Sequence, residues 1–150
     1  METVEKIDHM IFQEKFIAQI KSIREVCQKV EMKLFALGFS PDVLNDVIVS
    51  IDEAITNIVT HGSHENVGDA LEAEVEVIHD NGALHVKILD SGKPYDYDNI
   101  PMPDISENLK GNRIGGFGVF LMNSLMDHVH YRRDNETNVL LMSKKISITS

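Results

Sequence analysis

The chain has 150 residues, of which 43% are hydrophobic, with one cysteine and a net charge of −10 at pH 7. These values indicate a single globular domain over residues 1–150, and the excess of acidic residues argues against a nucleic-acid-binding surface. The sequence has no apolar run long enough to cross a membrane and no signal peptide pattern at its start, so we expect a cytoplasmic protein. The acidic charge fits either solubility alone or an acidic face that meets a basic protein partner.

The first predicted element is a long amphipathic helix from Phe12 to Leu37, because apolar residues recur there at steps of three and four. Residues 1–11 are interpreted as an arm or an irregular strand in front of it. The near-heptad spacing of the helix fits self-association into a homodimer or contact with a partner. It fits equally well ordinary packing of the helix on the rest of the domain.

A second helix is predicted to begin after the cap sequence Ser40-Pro41-Asp42 and to end at about His61, before Gly62. Glu53 and Asn57 are four residues apart and therefore lie on one face of this helix. Taken alone, such a pair is more commonly two exposed polar residues. Beside a bound nucleotide, however, the glutamate can accept a proton, and the asparagine carbonyl oxygen suits Mg²⁺ carried by phosphates.

Two strands are predicted next, over residues 71–78 and 83–90, because a strong turn signal, Asp80-Asn81-Gly82, separates two alternating segments. Asp90 ends the second strand and Gly92 follows it. An aspartate and a glycine here can simply form a turn. In a nucleotide site, the carboxylate can accept a hydrogen bond from an adenine amino group, and the glycine lets the backbone approach the flat base.

Residues 91–115 are rich in Pro, Asp, Asn and Gly and carry few periodic apolar positions. A connection of this length is usually functional or disordered, and we interpret it as an ATP lid. Gly115, Gly116 and Gly118 follow, directly before a predicted helix over residues 119–126. Backbone N–H groups at such a helix start can bind phosphates, although a merely flexible loop has the same glycines.

Two final strands are predicted over residues 129–133 and 138–146, around the turn sequence Asp134-Asn135-Glu136. The predicted order is helices, strands, one inserted helix and further strands. This order favours an α+β fold, a two-layer sandwich in which helices cover one face of a mainly antiparallel mixed sheet.

Three segments in this order resemble the ATP-site boxes of the GHKL ATPase superfamily, which has the Bergerat ATP-binding fold. Within that group the chain looks most like the small anti-sigma-factor serine kinases, and the resemblance runs from about residue 41 to residue 142. The segments are Ile51-Asp52-Glu53-Ala54-Ile55-Thr56-Asn57-Ile58-Val59-Thr60-His61-Gly62, Asp90-Ser91-Gly92-Lys93-Pro94-Tyr95-Asp96 and Gly115-Gly116-Phe117-Gly118-Val119-Phe120-Leu121-Met122.

The resemblance implies a role for each residue of the site. Glu53 is expected to be the general base, Asn57 the Mg²⁺ ligand and Asp90 the residue that reads adenine. Arg113 stands where the family has a lid arginine that is directed at the phosphates.

Two positions depart from the family pattern. Glu136-Thr137 stands where the family often has Gly-Thr, and Thr137 is expected to keep a water-mediated contact near adenine. Lys93-Pro94 stands where many members have a second glycine.

The function implied by the resemblance is that of an ATP- and Mg²⁺-dependent serine protein kinase that acts as an anti-sigma factor. Its expected partners are a sigma factor and an anti-sigma antagonist that receives the phosphate on a serine. The alternative is a non-catalytic, ATP-binding regulatory module, against which Glu53 argues because holding a nucleotide does not require a base.

Overall fold

A computed structural model describes residues 9–62, 71–94 and 117–146. Within these ranges the chain forms five strands and three helices. They are β1 (His9–Ile17), α1 (Ile20–Ala36), α2 (Pro41–His61), β2 (Glu72–Asp80), β3 (Ala83–Asp90), α3 (Phe117–Leu125), β4 (His128–Asp134) and β5 (Thr137–Lys145).

The five strands form one sheet with the order β1-β2-β3-β5-β4. Every neighbouring pair in it is antiparallel, so the described strands contain no parallel pair of the kind that a mixed sheet would have. The helices lie on one face, where α2 packs against α1 on one side and α3 on the other. The predicted two-layer α+β fold is therefore confirmed.

The core lies between the helices and alternate residues of the strands. Ile51 and Ile55 of α2 are fully buried against a sheet surface that includes Val86 and Ile88 of β3. Burying an aliphatic side chain of this size stabilises the fold by about 1.5–3 kcal/mol. This packing fixes the side of α2 that faces the sheet, and it leaves Glu53 only partly buried at the edge of the contact.

Helix α2 begins and ends at the residues that its sequence predicts. The Ser40 hydroxyl accepts a hydrogen bond from Val43 N at 3.3 Å, and Pro41 occupies the first turn, where its missing N–H costs nothing. Gly62 N donates to Ile58 O at 2.8 Å and ends the helix. The cap fixes the phase of α2 and hence the direction of its polar face.

The prediction of one helix from Phe12 to Leu37 is wrong in its first part, because residues 9–17 form strand β1 on the edge of the sheet. Phe12 and Phe16 are four residues apart, which places them on one face of a strand as well as of a helix. Both pack against the core, and the Glu14 carboxylate between them bonds Lys29 Nζ of α1 at 2.6 Å. The helix itself starts only at residue 20, so the near-heptad stripe is shorter than predicted.

Both predicted turns are present. Asn81 and Gly82 have φ values of 50° and 74°, the backbone of a two-residue hairpin turn, and Asn135 has a φ of 56° in the second hairpin. The two hairpins meet where β3 pairs with β5, and in that ladder Asp90 is paired with Asn138. Of the helices in the described ranges, none is long and apolar enough to span a membrane.

Candidate nucleotide site

The polar face of α2 supplies two of the predicted site residues. Glu53 and Asn57 are one turn apart and both are half-buried. The Asn57 carboxamide nitrogen is shielded from solvent and has no hydrogen-bond partner among the described residues. An unpaired buried amide costs free energy, so Asn57 has the character of a residue whose partner is a ligand.

The end of β3 supplies a third residue, Asp90, whose side chain is only 9% exposed. Its Oδ1 accepts a hydrogen bond from Gly92 N at 2.8 Å, which closes a tight turn directly after the strand. A Cβ on Gly92 would lie 2.7 Å from Gly62 O and 2.9 Å from Gly62 Cα, so no larger residue fits without a backbone shift. Lys93 N also donates to Gly62 O at 3.1 Å. These contacts fasten the turn to the end of α2.

Strand β5 brings Asn138 to the same place, and sequence reasoning missed this residue. Asn138 Nδ2 donates to Asp90 Oδ1 at 2.9 Å, and only 4% of Asn138 is exposed. The neighbouring residue Thr137 points to the other face of the sheet, since successive side chains of a strand alternate. Thr137 lines a depression there with Lys15 and Glu72. The signal for Asn138 is the strand register, because the ladder between β3 and β5 pairs it with Asp90.

The electrostatics of Asp90 reflect its enclosure. Burial raises the pKa of the Asp90 carboxyl above its ordinary value, since removing water disfavours the charged form. The hydrogen bonds from Asn138 and Gly92 N, and next the positive charge of Arg133, act in the opposite direction on this pKa. The Asp90 carboxylate is therefore an acceptor that is shielded from water and held in place by two donors. Such an acceptor suits recognition of an uncharged amino group.

A cleft between α2 and the sheet joins these residues. Asn57 and Asp90 both line it, together with Lys93, Tyr131 and Asn138. Its other described walls are largely apolar and consist of Ala54, Ile58, Ile88 and Leu140, with His61 and Gly62 at the end of α2. Apolar walls with a few convergent polar groups are typical of a site for a flat heteroaromatic ring.

Helix α3 brings Gly118, the last glycine of the motif, to Glu53. A Cβ on Gly118 would lie 2.6 Å from Glu53 Oε2 and 3.4 Å from Glu53 Cδ, so the absence of a side chain at 118 leaves the space that the carboxylate occupies. Arg113, Gly115, Gly116 and residues 95–115 of the predicted lid lie outside the described residues. The described part therefore brings together Glu53, Asn57, Asp90, Gly92 and Gly118. Thr137 lines the neighbouring depression, which Asp90 also lines.

Comparison with known proteins defines the class. Residues 16–144 match the histidine kinase-like ATPase domain family, and the chain belongs to that family. Within it, the chain is 33% identical over 109 residues to the serine-protein kinases RsbW of Bacillus thuringiensis (strain Al Hakam) and Bacillus cereus (strain 03BB102). This similarity spans 70% of the present chain and 66% of each relative.

A solved structure has a similar fold. The crystal structure of the RsbU and RsbW domains of a Mycobacterium tuberculosis protein superposes with a TM-score of 0.63, over 93% of this chain and 34% of that one. The sequence identity is 14%, so this likeness concerns the fold alone. The family match confirms the expected membership in the GHKL ATPases, and the sequence likeness to the RsbW kinases agrees with the expected resemblance to the small serine kinases.

Proposed function

We propose that this protein is an ATP-dependent serine protein kinase that phosphorylates an anti-sigma antagonist on serine and sequesters a sigma factor. The observation that carries the proposal is the convergence of Asn57, Asp90 and the Glu53–Gly118 contact around one face of α2. The similarity to kinases named RsbW supports the same function.

The residues of the cleft fit Mg-ATP. The apolar walls can enclose the adenine ring, and Asp90 can accept a hydrogen bond from its amino group. Asn57 is the residue that would hold Mg²⁺, by its carboxamide oxygen. Bound there, the ion would neutralise charge on the phosphates. The buried Nδ2 of Asn57, which has no partner among the described residues, is a donor and would meet an oxygen of the ligand rather than the ion. Gly118, together with Arg113, Gly115 and Gly116, is proposed to surround the phosphates from the side of α3.

Glu53 is proposed to be the general base. The hydroxyl of a partner serine loses its proton to the Glu53 carboxylate as its oxygen bonds to the γ-phosphorus, and the bond from that phosphorus to the β-phosphate oxygen breaks to release ADP. A positioned base contributes about 10²–10⁴-fold to such a reaction. The bare backbone at Gly118 leaves room for this carboxylate beside the start of α3.

The alternative is a regulatory module that binds ATP without catalysis. Both functions predict that the protein binds Mg-ATP, but only the kinase predicts transfer of phosphate to a partner. Calorimetry with Mg-ATP tests binding first, and the absence of binding at millimolar nucleotide would contradict both functions. Labelled ATP and a purified antagonist then test transfer. Glu53→Gln should bind ATP nearly as wild type while transfer falls by about 10²–10⁴-fold.

Glu76→Gln is the matched control, because Glu76 lies on the open face of the sheet, away from the helices, and its only described bond is one from Gln13 Nε2 at 3.3 Å. It should transfer phosphate at the wild-type rate. Equal rates for Glu53→Gln and wild type would refute the base assignment. ATP binding with no transfer to any sigma-factor antagonist would favour the regulatory module.

A further inference from the structure

The Asn138 side chain is held in one orientation by groups on both of its ends. Its Oδ1 accepts hydrogen bonds from Tyr131 Oη at 2.6 Å and from Arg133 Nη1 at 2.7 Å. Its Nδ2 faces three oxygens, namely Asp90 Oδ1 at 2.9 Å, Lys93 O at 2.8 Å and Gly92 O at 3.2 Å. Exchanging the amide oxygen and nitrogen would place an oxygen against these three acceptors, so only the observed orientation is compatible with its neighbours.

The same contacts orient the Asp90 carboxylate. Oδ1 already accepts from Gly92 N and from Asn138 Nδ2, whereas Oδ2 accepts no hydrogen bond from any residue that the structure describes. Asp90 lines the cleft, so Oδ2 is the oxygen of this residue that remains available to a ligand there. Arg133 Nη1 also donates to Gly92 O at 3.0 Å and thereby fixes the turn that Asp90 closes.

We propose that Asn138, fixed by Tyr131 and Arg133, is a positioning residue that makes the cleft selective for adenine over guanine nucleotides. The inference rests on the proposed nucleotide site and adds to it a residue that acts through Asp90. A carboxylate oxygen that cannot rotate away accepts a hydrogen bond from the 6-amino group of adenine. The same oxygen repels the 6-carbonyl oxygen of guanine, because both are acceptors and neither can supply the proton.

Asn138→Asp is the sharpest perturbation, because it keeps the shape of the side chain and replaces the donor with an acceptor. The new carboxylate would face the oxygens of Asp90, Gly92 and Lys93, so Asp90 loses a donor and is pushed from its place. ATP affinity should fall by about 10–100-fold, the equivalent of one charge-assisted hydrogen bond. GTP affinity should change by less than about threefold, because guanine makes no bond to Asp90.

The measurement is displacement of a fluorescent ADP analogue by ATP and by GTP, with thermal unfolding of each variant in parallel. Asn81→Asp is the control, since it adds the same charge in the β2–β3 turn at the other end of the sheet. Tyr131→Phe removes the hydroxyl that donates to Asn138 Oδ1, and it provides a second test if Asn138→Asp does not fold. Like Asn138→Asp, it should reduce the preference for ATP: the dissociation constant for GTP divided by that for ATP should fall by about two- to fivefold.

The outcomes separate this inference from the proposed function. If wild type binds neither nucleotide, the nucleotide site itself is wrong. If wild type prefers ATP and a folded Asn138→Asp or Tyr131→Phe variant keeps the full preference, Asn138 has no positioning role and the proposed function stands. A preference that falls in these variants and is unchanged in Asn81→Asp supports the inference, because a merely structural defect lowers the unfolding temperature without changing the choice of base.

Discussion

Replacing Gly118 with alanine places one methyl group against the proposed base. The added Cβ would lie 2.6 Å from Glu53 Oε2, well inside van der Waals contact, while the Glu53 Cβ and Cδ atoms lie at a tolerable 3.4 Å. The carboxylate is the far end of a flexible side chain, so it can rotate away and the backbone can stay. Gly118 has no positive φ, and alanine favours a helix over glycine by about 1 kcal/mol. The free energy of unfolding should therefore change by less than about 1 kcal/mol.

Phosphate transfer should respond very differently from stability. Displacing the base from its position removes most of its contribution, so Gly118→Ala should slow transfer by about 10²–10⁴-fold, as Glu53→Gln does. The assay is transfer of labelled phosphate to the antagonist, with chemical denaturation as the measure of stability. Ser124→Ala is a matched helix control, because the Ser124 hydroxyl only donates to Phe120 O on the exposed side of α3.

A double variant tests whether the two residues act together. Adding Gly118→Ala to Glu53→Gln should cost almost nothing further, because the base is already absent. A wild-type transfer rate in Gly118→Ala, beside a slow Glu53→Gln, would refute the reasoning that the space at residue 118 positions the carboxylate.

Three further variants or treatments follow from the geometry. Asp90→Asn should weaken ATP binding by about 1.5–3 kcal/mol in calorimetry. Burial raises the Asp90 pKa above 3.8, so the contribution of Asp90 to the free energy of unfolding declines as the pH rises from 3.8 through the raised pKa. Asp90→Asn lacks this titration. In pH-dependent denaturation, the stability of the variant relative to wild type should therefore increase over that pH window. Asn57→Ala should weaken Mg-ATP binding, and the difference from wild type should vanish in excess chelator if Asn57 acts through the ion. Burial raises the pKa of the Cys27 thiol to about 12, so a thiol reagent at pH 8 should modify the protein only after unfolding.

Local signals predicted most of the fold. The cap at Ser40 and the positive-φ turn residues Asn81 and Asn135 depend on a few neighbouring atoms, and the structure has each where the sequence indicates it. The N-terminal strand was mispredicted because the pairing that decides it is remote. A spacing of four between Phe12 and Phe16 fits both periods, and only the neighbouring strand β2, about 60 residues further along the chain, makes a strand preferable.

The candidate site was predictable where a motif carries its own geometry. Glu53 and Asn57 follow from the helical repeat, and Asp90 with Gly92 from the end of a strand. Asn138 could not be found in this way, because its role arises from the pairing of β3 with β5, and the paired residues Asp90 and Asn138 are 48 residues apart in the chain and lie in two different hairpins. Thr137 was selected because the family often has Gly-Thr between its last strands, and that pattern carries no signal for the neighbouring residue 138.

The arrangement around Glu53 bears on the choice between a kinase and a module that only holds ATP. A binding module requires Asp90 to read the base and Asn57 to meet the phosphates through an ion, and neither task requires a carboxylate on the adjoining turn of α2. A negative charge beside the phosphates makes no favourable contribution to binding, because like charges repel. The chain nevertheless has Glu53 at that position, and the residue opposite it, Gly118, has no side chain that would displace the carboxylate. A carboxylate is useful at that position where it accepts a proton during phosphate transfer. Glu53 therefore favours the kinase over a module that only holds ATP.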